Sequence, residues 1–196
     1  AAFAGNNKLQ SITIPDSVTE LGVGAFILCE NLTNVTLPNT ISSIPYGTFA
    51  ACVSLKKINI SSSVKTIEDE AFSMTGFTEF TVPDTITSIG ARAFSDCENL
   101  VKVTIPKTVT TAGNNVFNGS ALKTATIENG ATAVADNLFS NAKNLTKVTI
   151  PNTVKKVGSM SFYGCKSLSS VTLPNTLTEI GYSAFNGTTA LTTITI

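Results

Sequence analysis

The chain has 196 residues, a formal net charge of zero, and neither histidine nor tryptophan. Charged residues make up only 13% of it, and Arg92 is its single arginine, which argues against nucleic-acid binding because that class neutralises phosphates with clustered lysines and arginines. The absence of histidine removes the commonest general base and metal ligand and disfavours an enzyme. No apolar run approaches the ~20 residues that span a bilayer.

A phenylalanine recurs every 22 or 23 residues along the chain. Its occurrences are Phe3, Phe26, Phe49, Phe72, Phe94, Phe117, Phe139, Phe162 and Phe185. A leucine, replaced once by Phe77, keeps the same period. A fixed period of this length indicates a solenoid, in which each coil buries its apolar residues against its neighbours. We therefore predict a single solenoid over residues 1–196, of about nine repeats and cut within a repeat at both ends.

Each repeat begins with a predicted strand. In the first full repeat, the residues Ser11-Ile12-Thr13-Ile14 alternate polar and apolar and are rich in β-branched side chains, which favours a strand. Pro15 follows and ends it, because proline donates no ladder hydrogen bond. Stacking then predicts one parallel sheet on the concave side. We call the outward-facing side chains of these first strands the sheet face.

The second half of each repeat has a different spacing. Leu21, Ala25 and Cys29 are four residues apart, beside Phe26, which is typical of a helix. We expect one or two helical or 3₁₀ turns on the convex side. A short extra strand over residues 18–21 is an additional expectation. The predicted fold class is an α/β repeat solenoid, a right-handed superhelix.

The repeat pattern Leu-x-x-Val-Thr-Ile-Pro-Asn-Thr-Val-Thr-x-Ile-Gly-x-x-Ala-Phe-x-x-Cys-x-Asn resembles the BspA-like class of leucine-rich repeats. Proline after the strand, Ile-Gly before Ala-Phe, and cysteine three residues after phenylalanine carry the resemblance. It implies a leucine-rich-repeat solenoid in a bacterial surface or secreted protein, a group for which adhesion to host proteins or other cells has been proposed. It brings no catalytic motif.

The four cysteines occupy one repeat position, three residues after the phenylalanine: Cys29, Cys52, Cys97 and Cys165. Identical positions of stacked coils point the same way, and Cys97 and Cys165 are three coils apart, so disulfides are disfavoured. Without histidine or a CxxC spacing, a metal site is disfavoured too. We predict small, buried, free thiols, and no metal or cofactor.

Two columns of side chains are expected on the sheet face. One consists almost entirely of threonine, and the other mixes lysine, glutamate and small polar residues. Threonine suits an exposed parallel strand, and we expect its hydroxyls to hydrogen-bond along the column. An ice-binding array is the alternative, disfavoured because the neighbouring column carries charge. The candidate partner-binding residues are Asn34, Thr36, Lys57, Asn59, Glu79, Thr81, Lys102, Thr104, Thr124, Thr126, Lys147 and Thr149.

Our leading functional hypothesis is a noncatalytic module that binds a protein or glycan, such as a host extracellular protein, through the sheet face at a bacterial surface or outside the cell. The alternative is a structural spacer or stalk that holds other domains away from the cell surface. A carbohydrate-active enzyme of the β-helix type ranks last, because Glu79 is nearly alone among carboxylates on that face. End-to-end self-association through uncapped ends is a further expectation.

Overall fold

A computed structural model describes all 196 residues as a stack of coils built from strands and turns, with no helix. Most coils contribute a first strand and a shorter second strand. The strands are β1 (Ser11–Thr13), β2 (Asn34–Thr36), β3 (Ser43–Ile44), β4 (Lys57–Asn59), β5 (Thr66–Ile67), β6 (Glu79–Thr81), β7 (Ser88–Ile89), β8 (Lys102–Ile105), β9 (Thr111–Ala112), β10 (Thr124–Ile127), β11 (Ala133–Val134), β12 (Lys147–Thr149), β13 (Lys156–Val157), β14 (Ser170–Thr172), β15 (Glu179–Ile180) and β16 (Thr193–Thr195).

The first strands pair in parallel, and every pair joins residues at the same repeat position, such as Val35 with Ile58. Their order is β1–β2–β4, then β6–β8–β10–β12, then β14–β16. The predicted parallel strands are therefore present, with two interruptions between them. The expectation of a single sheet is incomplete, because the second strands form another parallel array, β3–β5–β7–β9 and β11–β13–β15. This array begins at β3, one coil after the expected strand at residues 18–21.

The phenylalanines form the centre of the core. Each ring stacks on the ring of the next coil, with centroids 5.1–5.8 Å apart and planes within 25° of parallel. The interior rings are no more than 1% exposed, whereas Phe3 in the first coil is 42% exposed. Offset stacks of this kind add to the free energy gained by burying the rings. The prediction that phenylalanine is the core spacer is confirmed.

The convex side consists of stacked turns, so the prediction of helical or 3₁₀ turns is wrong. In the coil of Phe26, the amides of Gly24, Phe26 and Leu28 donate to carbonyls of the next coil at 2.8–2.9 Å. The intervening amides donate to the carbonyl three residues earlier. Alternate amides thus point along the solenoid axis, which a helix forbids because all its amides point along the helix itself.

This alternation depends on residues with positive φ two positions before and two positions after each phenylalanine. Glycine fills some of these sites, for example Gly24 at 59° and Gly164 at 67°. The others hold ordinary residues: Leu28, Ala51, Glu70, Met74, Arg92, Asp96, Asn115, Asn137, Asn141, Met160 and Ser183. A left-handed residue costs about 1–2 kcal/mol when it has a Cβ. The intercoil hydrogen bonds and the buried ring between the two sites hold that conformation in place.

Another glycine, four residues before the phenylalanine, lies where successive coils come closest. The amide of Ala91 donates to Oδ1 of Asp69 in the preceding coil at 2.7 Å. A Cβ on Gly90 would lie 2.5 Å from that oxygen and would also overlap the Asp69 backbone. The Ile-Gly pair of the repeat therefore marks a position where the backbone of one coil passes against the next.

Replacing a central ring tests the core. We expect Phe94→Ala to lower the free energy of unfolding by about 3–5 kcal/mol, because it removes a fully buried ring and leaves a cavity. Phe3→Ala is the matched control and should lose far less, since that ring is covered on one side only. Urea denaturation measures both, and a loss below about 1 kcal/mol for Phe94→Ala would contradict the role of the stack.

The glycine position supplies a second test. We expect Gly90→Ala to destabilise the chain by about 1–3 kcal/mol, because the new methyl group overlaps the backbone of the preceding coil. Gly22 occupies the same repeat position, but a methyl group added there would have no atom within 4 Å, so Gly22→Ala should be close to neutral. Equal losses for the two variants in urea melts would show that backbone flexibility, and not close approach, selects glycine here.

Candidate functional site

The sheet face is assembled by the register of the first sheet. Residues predicted as partner-binding alternate with buried central residues such as Val35 and Val103, so their side chains point outward. All twelve lie in β2, β4, β6, β8, β10 or β12 and are exposed or half-buried. Pairing aligns Thr81 with Thr104 and Thr104 with Thr126, which produces the expected threonine column. Whether a partner uses these residues stays a prediction.

The threonine column carries free hydroxyl groups. The expectation that these hydroxyls bond to one another is wrong, since none of the column threonines donates or accepts a side-chain hydrogen bond within the protein. A threonine at the edge of the same sheet behaves differently: the hydroxyl of Thr33 donates to the Gln10 carbonyl at 2.9 Å. The hydroxyls of the column therefore face solvent and can bond to a ligand.

The neighbouring column carries the charge of the sheet face. Glu79 and Lys102 pair at 3.8 Å, with both side chains more than half exposed, so the pair contributes little to stability. Lys57 and Lys147 make no ion pair. Lys56 and Lys123 lie beside the column, which leaves the middle of the face cationic with one carboxylate in it.

A groove of about 320 Å³ interrupts the sheet face between β4 and β6. The two strands are not hydrogen-bonded to each other. Where the strands are paired, the residue after the first strand donates to the next coil, as Leu37 does to the Asn59 carbonyl at 3.0 Å, but the amide of Ile60 has no such partner, and neither has that of Ile150 at the gap between β12 and β14. The groove has Lys56, Lys57 and Glu79 at its rim and Phe77 and Phe80 below.

Local sequence explains the groove. Phe80 takes the inward strand position that Val35 and Val103 hold in other coils, and its ring packs 4.8 Å from those of Phe77 and Phe94. The turn before it is one residue shorter than usual, and a Cβ on Gly76 would overlap the carbonyl of Val53. The turn before β10 is equally short, yet β10 pairs with β8, so the bulky Phe77 and Phe80 rings are the feature that sets the β4–β6 gap apart. The shortened spacing and the two aromatic residues were visible in the sequence, but they do not by themselves predict a groove.

Comparison with known proteins settles the family. The family model of the BspA type leucine rich repeat region matches six copies, over residues 1–123 and 132–196. The chain belongs to the BspA-type leucine-rich-repeat family. No curated protein sequence matches it.

Solved leucine-rich-repeat proteins share the fold of this BspA-type chain. One from Bacteroides ovatus is 29% identical, with a TM-score of 0.74 over 94% of this chain and 54% of its own length. One from Eubacterium ventriosum is 26% identical, with a TM-score of 0.70 over 91% of this chain and 58% of its own. A T. pallidum leucine rich repeat protein is 23% identical, with a TM-score of 0.69 over 94% of this chain and 79% of its own, and shares the fold. This chain thus spans little more than half of the first two.

The remaining surfaces of this BspA-type chain show no grouping of cysteine, aspartate and glutamate suited to a metal ion. On the convex side, the hydroxyl of Tyr46 donates to Glu70 at 3.0 Å, and Arg92 pairs with the same carboxylate at 3.3 Å. The hydrogen bond to Glu70 raises the pKa of Tyr46.

The terminal coils expose core-type residues such as Phe3 and Ile194. There is no helix with the length and apolarity needed to cross a membrane.

The four cysteines are free and fully buried, as predicted. Each thiol donates to the phenylalanine carbonyl of the preceding coil, as Cys52 does to Phe26 at 3.1 Å and Cys165 to Phe139 at 3.1 Å. Burial raises the pKa of Cys52 and Cys165 to about 12 and that of Cys97 to about 11. These thiols are structural donors with low reactivity, because the thiolate is the reactive form.

This burial predicts an alkaline loss of stability. The folded chain holds its thiol protons more tightly than the unfolded chain, whose thiols titrate near 9.0. The thiols' contribution to the free energy of unfolding is therefore complete below pH 9 and is lost as the pH rises toward 12. In Cys165→Ala, which copies Ala142 of the preceding coil, the free energy of unfolding should fall less steeply above pH 9. Urea melts at several alkaline pH values measure this. Equal slopes for variant and wild type would contradict it.

Proposed function

We propose that this chain is a noncatalytic binding module that holds a protein or glycan on its sheet face. The observation that supports this is the set of polar side chains on that face with no partner in the protein: the threonine hydroxyls, Lys57 and Lys147. A polar surface with unpaired donors and acceptors can bond to a ligand without first breaking internal bonds. Family membership supports a location outside a bacterial cell or at its surface, in adhesion or contact with host or other cells.

A structural spacer is the second candidate. The near-uniform threonine column and the unbroken stack of rings favour it, because a spacer needs only regular, soluble coils. Variation in the charged column, from Lys57 through Glu79 to Thr124, favours binding instead. The two candidates differ in one measurable respect: only a binding module loses a function when the sheet face is blocked.

Blocking the face tests the proposal. The variant Thr104→Trp/Thr126→Trp places two bulky side chains in the middle of the sheet face, and binding of the labelled chain to a printed glycan array and to immobilised mucin is measured. We expect at least a tenfold loss of binding to each ligand that wild type recognises, because the face can no longer make close contact.

The matched control is Thr110→Trp/Thr132→Trp, which makes the same change at exposed positions beside β9 and β11 in the second sheet. It should bind as wild type does. Full binding by the sheet-face variant, an equal loss in the control, or no binding by wild type to any of these probes would contradict the proposal, and the last result would favour the spacer.

A further inference from the structure

The groove between β4 and β6 offers a mixture of hydrogen-bonding groups. The ammonium groups of Lys56 and Lys57 and the free amide of Ile60 are donors. The Glu79 carboxylate and the Thr81 carbonyl, which receives no backbone hydrogen bond from β4, are acceptors. A bare phosphate or sulfate would match only the donors. A sugar with an anionic substituent matches both kinds, because its hydroxyls donate and its anionic group accepts.

Below these polar groups, the groove has an apolar floor of Ile58, Phe77 and Phe80. Ile58 is half-buried, whereas Phe80 and Phe77 are only 7% and 2% exposed, so Ile58 supplies most of the accessible apolar surface. The volume of about 320 Å³ is at the lower end of the range typical of small-ligand pockets. The apolar carbon faces of one sugar ring suit this floor while its polar substituents reach the rim.

Beyond the groove, lysines continue along the solenoid axis. Lys57, Lys102 and Lys147 occupy the same column in every second coil, with register pairs that run through Thr124. Adjacent paired strands lie about 4.8 Å apart, so Lys102 and Lys147 are roughly 10 Å apart, about the length of a disaccharide, whereas Lys57 lies across the unpaired β4–β6 gap. A linear polysaccharide with one anionic group per disaccharide would therefore present a negative charge to Lys102 and to Lys147.

An acidic peptide fits this surface less well. In an extended peptide, side chains on one face recur about every 7 Å, out of step with the lysine spacing. An acidic helix could match the spacing, but helices dock in grooves through an apolar stripe. Outside the groove floor, Val101 is the single large apolar side chain exposed along the first strands between β4 and β12.

We propose that the β4–β6 groove anchors an acidic sugar residue of a linear anionic polysaccharide, and that Lys102 and Lys147 bind the following anionic groups along the axis. This rests on the proposed function, that the sheet face binds a ligand. Glu79 then limits affinity: it pairs with Lys102 and repels the anionic chain, and it favours sugars whose hydroxyls can donate to it.

Titration calorimetry on the whole chain tests the proposal, with a hyaluronan oligosaccharide, which carries one carboxylate per disaccharide, an oligogalacturonate, neutral dextran and polyglutamate as probes. At least one acidic oligosaccharide should bind more tightly than both dextran and polyglutamate, with an affinity that falls as NaCl is raised from low to physiological concentration. Binding of both acidic oligosaccharides no tighter than dextran, or tighter binding of polyglutamate, would overturn it.

Variants locate the site. Lys56→Gln/Lys57→Gln should weaken binding of the acidic oligosaccharide at least tenfold, and Glu79→Gln should strengthen it severalfold. Lys65→Gln/Lys155→Gln makes the same change in net charge at exposed positions beside the second sheet and should leave the affinity within twofold of wild type. Equal losses in the two lysine pairs would indicate a nonspecific charge effect and would overturn the groove assignment. Urea melts check that each variant is folded.

The outcome is separable from that of the proposed function. If Thr104→Trp/Thr126→Trp abolishes binding to a neutral glycan or to mucin while the acidic oligosaccharides fail to bind, the sheet face is a binding surface and only the acidic-sugar assignment is wrong. If wild type and the tryptophan variant bind the acidic oligosaccharide equally well, the sheet face is not the binding surface. That result would contradict both the proposed function and the acidic-sugar assignment.

Discussion

Burial of each phenylalanine ring between the rings of its two neighbouring coils is the interaction on which the rest of the structure depends. A coil of this length cannot cover its own ring, and the ring is fully buried only when another coil lies on each side, as the contrast between Phe94 and Phe3 shows. Any shift of one coil along the chain would expose both its ring and its strand hydrophobics. The stack therefore fixes the register, and the register turns repeat positions into columns.

The period made the core and the register predictable. Because Phe26, Leu32 and Val35 recur together, their burial and the pairing of equivalent strand residues followed from stacking alone. The helical turn was wrong for a physical reason. A spacing of four residues also arises in a turn that alternates right-handed and left-handed residues, and the left-handed positions hold residues such as Leu28 and Met160 that carry no sequence signal for positive φ.

The groove could not be predicted because it results from small displacements. Replacing a valine by Phe80 changes no repeat spacing, and the shortened turn recurs before β10 without a gap, so the repeat pattern still predicts a continuous sheet. The energetic balance is decided locally: the rings of Phe72, Phe77, Phe80 and Phe94 gain contact with one another, and the hydrogen bonds between β4 and β6 are lost. An open ladder with exposed amides can bond to water at little net cost.

The threonines show how structural and ligand-binding roles can be separated in a repeat protein. Thr178, beside the second sheet, donates to the carbonyl of Lys155 in the preceding coil at 3.0 Å, and Thr146, at the edge of the first sheet, donates to Lys123 at 3.0 Å. These side chains join coils, so stability accounts for them. The hydroxyls of Thr104 and Thr126 make no hydrogen bond within the protein, and neither joins one coil to the next. Stability alone requires only a soluble, β-compatible side chain there, which leaves the choice of hydroxyl, lysine or glutamate at each coil of the sheet face free to be set by what binds to it.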